Sequence, residues 1–299
     1  MGMLEYEAHL TLAEKSGGYA NYVQLLATIR KEKLRVPRVV VRFGRELLEN
    51  FKWRLGADIW TIYEQVLIAA LDEYENELAE KCLAALKAKF PKSARAGRLE
   101  GMIFEQRGEY AKAEEIYEEI LKTNPANALI MKRRIAALKG QKKTQEVIAS
   151  LNELLRNFPT DQAAWTELGE THLSIGAYRY AAFCYEELVM LNPMDSFLHN
   201  RLADIYSTIG GVDNLRVARK HYCRSIELNK SMNVRAYAAL LSTTRAIAAH
   251  RSNQRNNDAE DQELNDRVHK FAVDYLHQLY ADKASPEVAD IAQQAFKAI

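Results

Sequence analysis

Pro91, Pro125, Pro159 and Pro193 are evenly spaced, each standing thirty-four positions after the one before. A period of that length, sustained along a chain, marks a repeat array in which each unit buries its apolar face against its neighbours. Breakers are otherwise scarce, because the 299 residues contain only six prolines and 13 glycines. Four of the six prolines therefore belong to one pattern. Cutting the chain at that period gives units at 59–92, 93–126, 127–160 and 161–194, each of which reads as two amphipathic helices joined by a short turn. A length that suggests about two domains for ordinary globular chains is thereby read as one array.

In the fourth unit Trp165, Leu168, Gly169, His172, Gly176, Tyr178, Ala181, Tyr185 and Pro193 echo Gly101, Phe104, Gly108, Tyr110, Ala113, Tyr117 and Pro125 of the second. Those positions match the tetratricopeptide pattern. Small residues in mid-helix let two axes approach closely, and the aromatic rings fill the space between them. A glycine inside a helix costs about 1 kcal/mol, so Gly101 and Gly169 predict tight contacts. Each proline stops a second helix, and Asn124 or Asn192 before it suits a turn. The third unit is degenerate, with Arg134, Ile135 and Val147 at positions the pattern fills otherwise. A fifth unit at 195–231 repeats Ala181, Tyr185, Leu191 and Asn192 as Ala218, Tyr222, Leu228 and Asn229, each three positions later than the period would place it. That offset predicts a three-residue insertion in the turn around Gly210, Gly211 and Asp213. Residues 1–58 read as N-terminal capping helices, with a pair at 19–31 and 37–53. Residues 232–299 read as an atypical pair at 233–249 and 263–281, a polar mobile loop at 250–262 and a capping helix from Pro286. The expected fold is all-α, a right-handed superhelical solenoid of tetratricopeptide repeats.

Composition narrows the function classes. With 41 basic and 40 acidic side chains the formal charge is +1, which gives no field to gather nucleic acid or an anionic membrane. The longest apolar run, 66–71, is far short of the roughly 20 residues of a membrane span, and the N-terminus lacks a signal core. Cys82, Cys184 and Cys223 form no C-x-x-C pair, which favours a reducing compartment. The seven histidines show no metal-ligand spacing, and no phosphate loop, dinucleotide fingerprint or nucleophile elbow occurs. The expectation is no enzyme, no cofactor and no metal. His172, Cys82 and Cys184 read as packing residues. The neighbouring carboxylates Glu114 and Glu115, Glu118 and Glu119, and Glu186 and Glu187 read as solvated helix faces.

Binding surface is what remains. A helical solenoid has a concave groove lined by the first helix of each pair, which here would display Glu64, Arg95, Arg98, Lys132, Arg133, Thr166, Glu170, Phe197 and Asn200. Arg95, Arg98, Lys132 and Arg133 would make its middle positive. An adaptor that captures C-terminal peptides is the alternative reading, but it needs Lys and Asn one turn apart to clamp a carboxylate. The corresponding pairs are Arg98 with Met102, Lys132 with Ala136 and Thr166 with Glu170.

Three stretches go beyond the generic repeat: DIWTIYEQVLIAALD at 58–72, AAFCYEELVMLNP at 181–193, and GGVDNL with the following ARKHY at 210–222. Together they resemble the family of subunit 2 of the endoplasmic-reticulum membrane protein complex, in the same repeat register and over about residues 37–245. The resemblance implies a non-catalytic scaffold, peripheral on the cytoplasmic face of the endoplasmic reticulum. Its implied partners are membrane-embedded subunits and a second soluble subunit, with only indirect membrane contact. The implied assembly inserts tail-anchored and multi-pass membrane proteins.

Overall fold

The structure, a computed structural model, describes residues 2–230, 233–251 and 259–298. These residues form α1 (Gly2–Ser16), α2 (Tyr19–Lys31), α3 (Pro37–Asn50), α4 (Ile59–Asp72), α5 (Asn76–Lys89), α6 (Ala94–Gln106), α7 (Tyr110–Thr123) and α8 (Ala128–Gly140). There follow α9 (Thr144–Asn157), α10 (Gln162–Ser174), α11 (Tyr178–Leu191), α12 (Ser196–Ile209), α13 (Val212–Leu228), α14 (Val234–Arg251), α15 (Ala259–Lys283) and α16 (Pro286–Ala298). No strand occurs among the described residues.

The proline period also sets the connections. Two residues past each repeat proline stands the N-cap of the next helix: Ser93, Asn127, Asp161 and Asp195. The side chains of Asn127 and Asp161 accept from the backbone N–H three residues on, at 3.3 and 3.1 Å, and Asp195 accepts from Phe197 at 2.8 Å. Such caps satisfy donors that a helix start leaves without partners. Inside each hairpin the turn residue has positive φ, at Tyr74, Gly108, Lys142 and Gly176, again one period apart. The next N–H bonds back to a carbonyl five residues earlier, as in Glu109 to Phe104 at 2.9 Å and Ala177 to His172 at 2.9 Å, which closes a Schellman turn. Glycine takes this left-handed conformation freely, whereas Tyr74 and Lys142 carry a strain of about 1 kcal/mol each.

Two compact units divide within α9, one covering Met1–Ser150 and the other Leu151–Ile299. The first packs Leu25 and Leu26 of α2, Leu47 of α3 and Val66 and Leu67 of α4, all fully buried. Farther along, Ala113 and Tyr117 of α7 are buried with Ile130 and Ala137 of α8. In the second unit Ala181, Tyr185 and Leu188 of α11 meet Leu198, Leu202 and Ile205 of α12. Next to them Tyr222, Tyr237, Leu240 and Leu276 join α13, α14 and α15, and Tyr237 stacks on Tyr275 with ring centres 3.9 Å apart.

Several expectations need correction. Ahead of the pair expected at 19–31 and 37–53, the capping segment has a further helix, α1, whose weak apolar pattern buries only Ala13. The helix expected at 37–53 ends at Asn50, and Lys52–Arg54 make a 3-10 turn. The three extra residues of the fifth unit lie in a helix instead of the turn. Gly210 and Gly211, with φ of 74° and 82°, reverse the chain in two residues, so α13 starts at Val212 and runs 17 residues where α11 has 14. The polar loop expected at 250–262 is helical at both ends: His250 and Arg251 belong to α14, and Ala259 to Gln262 belong to α15. Asp261 is there a structural anchor, accepting from Arg216 at 2.9 Å and pairing with the buried Arg219. Residues 252–258 lie outside the described residues.

Candidate binding surface

A recurrent polar bridge stiffens the helix faces. The hydroxyl of Tyr185 on α11 donates to Glu170 of α10 at 2.5 Å, and Arg201 of α12 donates to both oxygens of that carboxylate at 3.0 and 3.1 Å. One unit on, Tyr222 donates to Asp204 at 2.7 Å and Arg235 pairs with it at 2.6 Å. In the first compact unit Tyr117 donates to Glu105 at 2.5 Å, and Arg133 completes the bridge. Each bridge ties both helices of one pair to the first helix of the next. Burial lifts the carboxyl of Glu105, with Tyr117 and Arg133 opposing it, whereas at Glu170 burial is outweighed by the bonds from Tyr185 and Arg201 and the carboxyl is lowered. Burial, with the bond to Glu170, pushes the Tyr185 hydroxyl up to about 12. Part of the signal was available in sequence, since Arg133 and Arg201 are two periods apart and each sixteen positions after its tyrosine, whereas Arg235 stands thirteen after Tyr222 and breaks the pattern.

Most of the expected groove residues have partners within the chain. Glu64 is buried, and its carboxylate takes Arg98 at 2.7 Å and also pairs with Arg95. Arg133 is committed to Glu105. The positive region expected from Arg95, Arg98, Lys132 and Arg133 is thus reduced, because three of the four cations face carboxylates of neighbouring helices; Lys132 is half-buried on α8. Thr166 returns its hydroxyl to Gln162 at 2.9 Å, and Asn200 donates to Asn233, the residue before α14, at 2.8 Å. Phe197 is exposed. Beside Glu64 and Arg95 a cavity of about 240 Å3 opens between Trp60, Leu86, Phe90 and Leu99, and Trp60 meets Phe90 edge to face at 5.4 Å.

The glycines read as contact points have that geometry. A Cβ on Gly101 would lie 2.4 Å from the Tyr117 ring, and one on Gly169 would lie 2.9 Å from Tyr185. Burial pushes the thiols of Cys82 and Cys184 up to about 12, so both are neutral packing groups. His172 is buried and stacks on Tyr180 at 5.3 Å, and desolvation lowers its pKa. Among the described residues no three His, Cys, Asp or Glu side chains converge as a metal set, and no helix is long and apolar enough to cross a membrane. The adjacent carboxylates are not uniformly solvated: Glu114 is half-buried beside Arg134 and Lys143, at 3.8 and 3.9 Å, and Glu186 accepts from Tyr206. The sequence reading also missed that α11 is apolar on two sides. Besides its buried Ala181, Tyr185 and Leu188 it carries a second set, Tyr180, Phe183 and Met190, that remains exposed.

Comparison with known proteins gives this surface its context. The family described as the EMC2 TPR-like repeat domain matches residues 78–217. ER membrane protein complex subunit 2-A of Xenopus laevis is 40% identical over 225 residues, 75% of each chain. Subunit 2 of Dictyostelium discoideum is 31% identical over 75% of this chain and 70% of its own. The TPR repeat protein oca3 of Schizosaccharomyces pombe is 38% identical over 57% of this chain and 61% of its own. Among solved structures, the C-terminal part of a TPR repeat-containing protein from Cytophaga hutchinsonii superposes with a TM-score of 0.56 at 14% identity, covering 96% of this chain and 99% of that one. The fold is accordingly an all-α tetratricopeptide solenoid, and the chain belongs to the ER membrane protein complex subunit 2 family.

Proposed function

We propose that this chain is a non-catalytic scaffold of the endoplasmic-reticulum membrane protein complex, held peripherally on the cytoplasmic face of the membrane. In this reading it binds the cytosolic parts of membrane-embedded subunits and a second soluble subunit, and so supports insertion of tail-anchored and multi-pass proteins. The observation that carries the reading is 40% identity over 225 residues to a relative named as subunit 2 of that complex. Stacked helix pairs suit the role, because rigid repeats offer a broad surface without a reactive centre. Membrane contact is through partners, as is consistent with the absence of a spanning helix among the described residues. The groove residues Arg95, Arg98, Lys132, Arg133, Phe197 and Asn200 belong to the surfaces offered to partners, with the buried Glu64 holding Arg95 and Arg98 in place. A C-terminal-peptide adaptor fits less well, since the Glu64 carboxylate already holds the guanidiniums of Arg95 and Arg98. Affinity purification of the tagged chain from membranes tests the proposal. Co-purification with integral subunits and release by alkaline carbonate are expected; recovery only as a free monomer would refute it.

A further inference from the structure

The most apolar stretch of exposed surface lies on and just beyond α11. Tyr180, Phe183 and Met190, then Met194 and Phe197 after the helix end, are each between 53% and 70% exposed. Isolated exposed apolar residues are ordinary, but five between Tyr180 and Phe197, three of them on α11 itself, are a concentration of the kind that marks an interaction site. Tyr180, Phe183, Glu187 and Met190 stand at i, i+3, i+7 and i+10. That is the spacing of a coiled-coil seam, whose natural complement is another helix presenting the same spacing. Two of the rings are already fixed from behind: Tyr180 stacks on His172 at 5.3 Å, and Trp165 meets Phe183 edge to face at 5.9 Å. A surface ordered in advance loses little entropy on binding.

Charge selects among the occupants. Glu187 stands half-buried within the seam with Glu186 beside it, and among the described residues neither forms an ion pair. A second copy of this chain laid on the seam, parallel or antiparallel about its middle, would bring two Glu187 carboxylates within about one turn of each other, which is repulsive. An anionic lipid surface would meet the Glu187 carboxylate. We infer that the α11 seam docks an amphipathic helix of a partner protein, apolar at seam spacing and bearing a Lys or Arg opposite Glu187. This inference rests on the scaffold reading and names one surface for it.

The test uses the full chain in complexes assembled in endoplasmic-reticulum membranes, with the photoreactive amino acid benzoylphenylalanine at position 183 or 190. Both probes should cross-link to one partner segment, at positions three, four or seven apart and within a turn of a basic side chain. Glu187→Lys should lower recovery of that partner about tenfold, as expected for losing one desolvated ion pair, and reversing the partner's basic residue should restore it. Circular dichroism of the variant should be unchanged, because Glu187 has no ion pair to lose. Cross-links to a second copy or to lipid, or none above those from the exposed Glu153 position while integral subunits still co-purify, would overturn the seam alone. Loss of co-purification by the unmodified chain would overturn both readings.

Discussion

Gly97 and Gly101 lie one turn apart on α6, and the same substitution at each should have opposite effects. Gly→Ala in a helix interior gains about 1 kcal/mol of helix propensity, and that gain is common to both sites. At Gly97 the new Cβ would come 2.9 Å from the Cδ1 of Ile120, the far end of a flexible side chain that can turn away. At Gly101 it would come 2.4 Å from two atoms of the Tyr117 ring. That ring is fully buried, and its hydroxyl is held by Glu105, which Arg133 holds in turn. The ring has nowhere to go without breaking the bridge, so overpacking of about 1–3 kcal/mol should exceed the propensity gain. Gly97→Ala should leave the protein as stable or slightly more so, while Gly101→Ala should destabilise it, with a gap of about 1–3 kcal/mol between the variants. Urea unfolding followed by circular dichroism measures the gap directly. Equal midpoints for the two variants would refute the account of α6 against α7, and Tyr117→Leu in the Gly101→Ala background should recover part of the loss.

Removing Arg133 should cost about 3 kcal/mol, because it strands the largely buried Glu105; Arg235→Ala, whose side chain is mostly exposed, should cost about 1 kcal/mol or less, and equal losses in urea titrations would contradict the burial argument. Tyr74→Gly should stabilise by about 0.5–1 kcal/mol by relieving a left-handed backbone at an exposed side chain, and a lower thermal midpoint would rule this out. At the pair of His199 and His221, whose Nδ1 atoms are 3.0 Å apart, His199 donates from Nε2 to the Pro193 carbonyl at 3.1 Å and so accepts from His221. Burial first, then the neighbouring His199, lowers the pKa of His221 against the pull of Glu186. The unfolded chain then takes up the proton first, so this contribution to stability is present above about pH 6.5 and is lost as the pH falls towards the lower folded pKa. His221→Phe should flatten that slope; a slope unchanged by the substitution would exclude the pair as its source. Cys82 and Cys184 should resist iodoacetamide at about pH 8 in the folded protein, and labelling within minutes, read by mass spectrometry, would show that they are not buried as described.

What the sequence disclosed and what it concealed divide along a physical line. Prolines, glycines and small residues act locally, so Pro125, Gly101 and Ala113 announce helix ends and close contacts from the chain alone. The same locality explains the misreadings. Gly210 and Gly211 mark a turn without saying how many residues it consumes, and the surplus went into α13. Asp261 sits in a polar run that resembles a loop, and only the approach of Arg219 from α13, 42 residues away, shows it to be a helical anchor. Groove residues were the hardest to read. A guanidinium such as Arg98 looks like a partner-binding cation until Glu64, 34 residues earlier and one repeat away, is seen to occupy it.

The polar bridges show why a degenerate repeat can still stack. Tyr117, Tyr185 and Tyr222 follow the repeat register, the three-position shift of the fifth unit included, and Arg133 and Arg201 each stand sixteen positions after their tyrosine, yet Arg235 stands thirteen after Tyr222 and one of the acids is displaced as well. Glu170 and Asp204 are one full period apart, whereas Glu105 lies three positions, nearly one turn, past the place equivalent to theirs, where Met102 stands. One turn of displacement along the same helix face keeps a carboxylate within reach of both partners. The tyrosine is thus the fixed element of the bridge, while the acid in one unit and the arginine in another are each displaced by nearly one turn. A carboxylate serves at either turn because Arg is long and the tyrosine hydroxyl faces both positions. Pattern matching that demands identity at every repeat position passes over such an element, while matching on what bonds to what retains it. In the second compact unit the bridges from α10 through α12 to α14 fix the helices that flank α11 on one side. They leave its Tyr180 and Phe183 side without cover from a neighbouring repeat, and that open face is the one a partner helix can take.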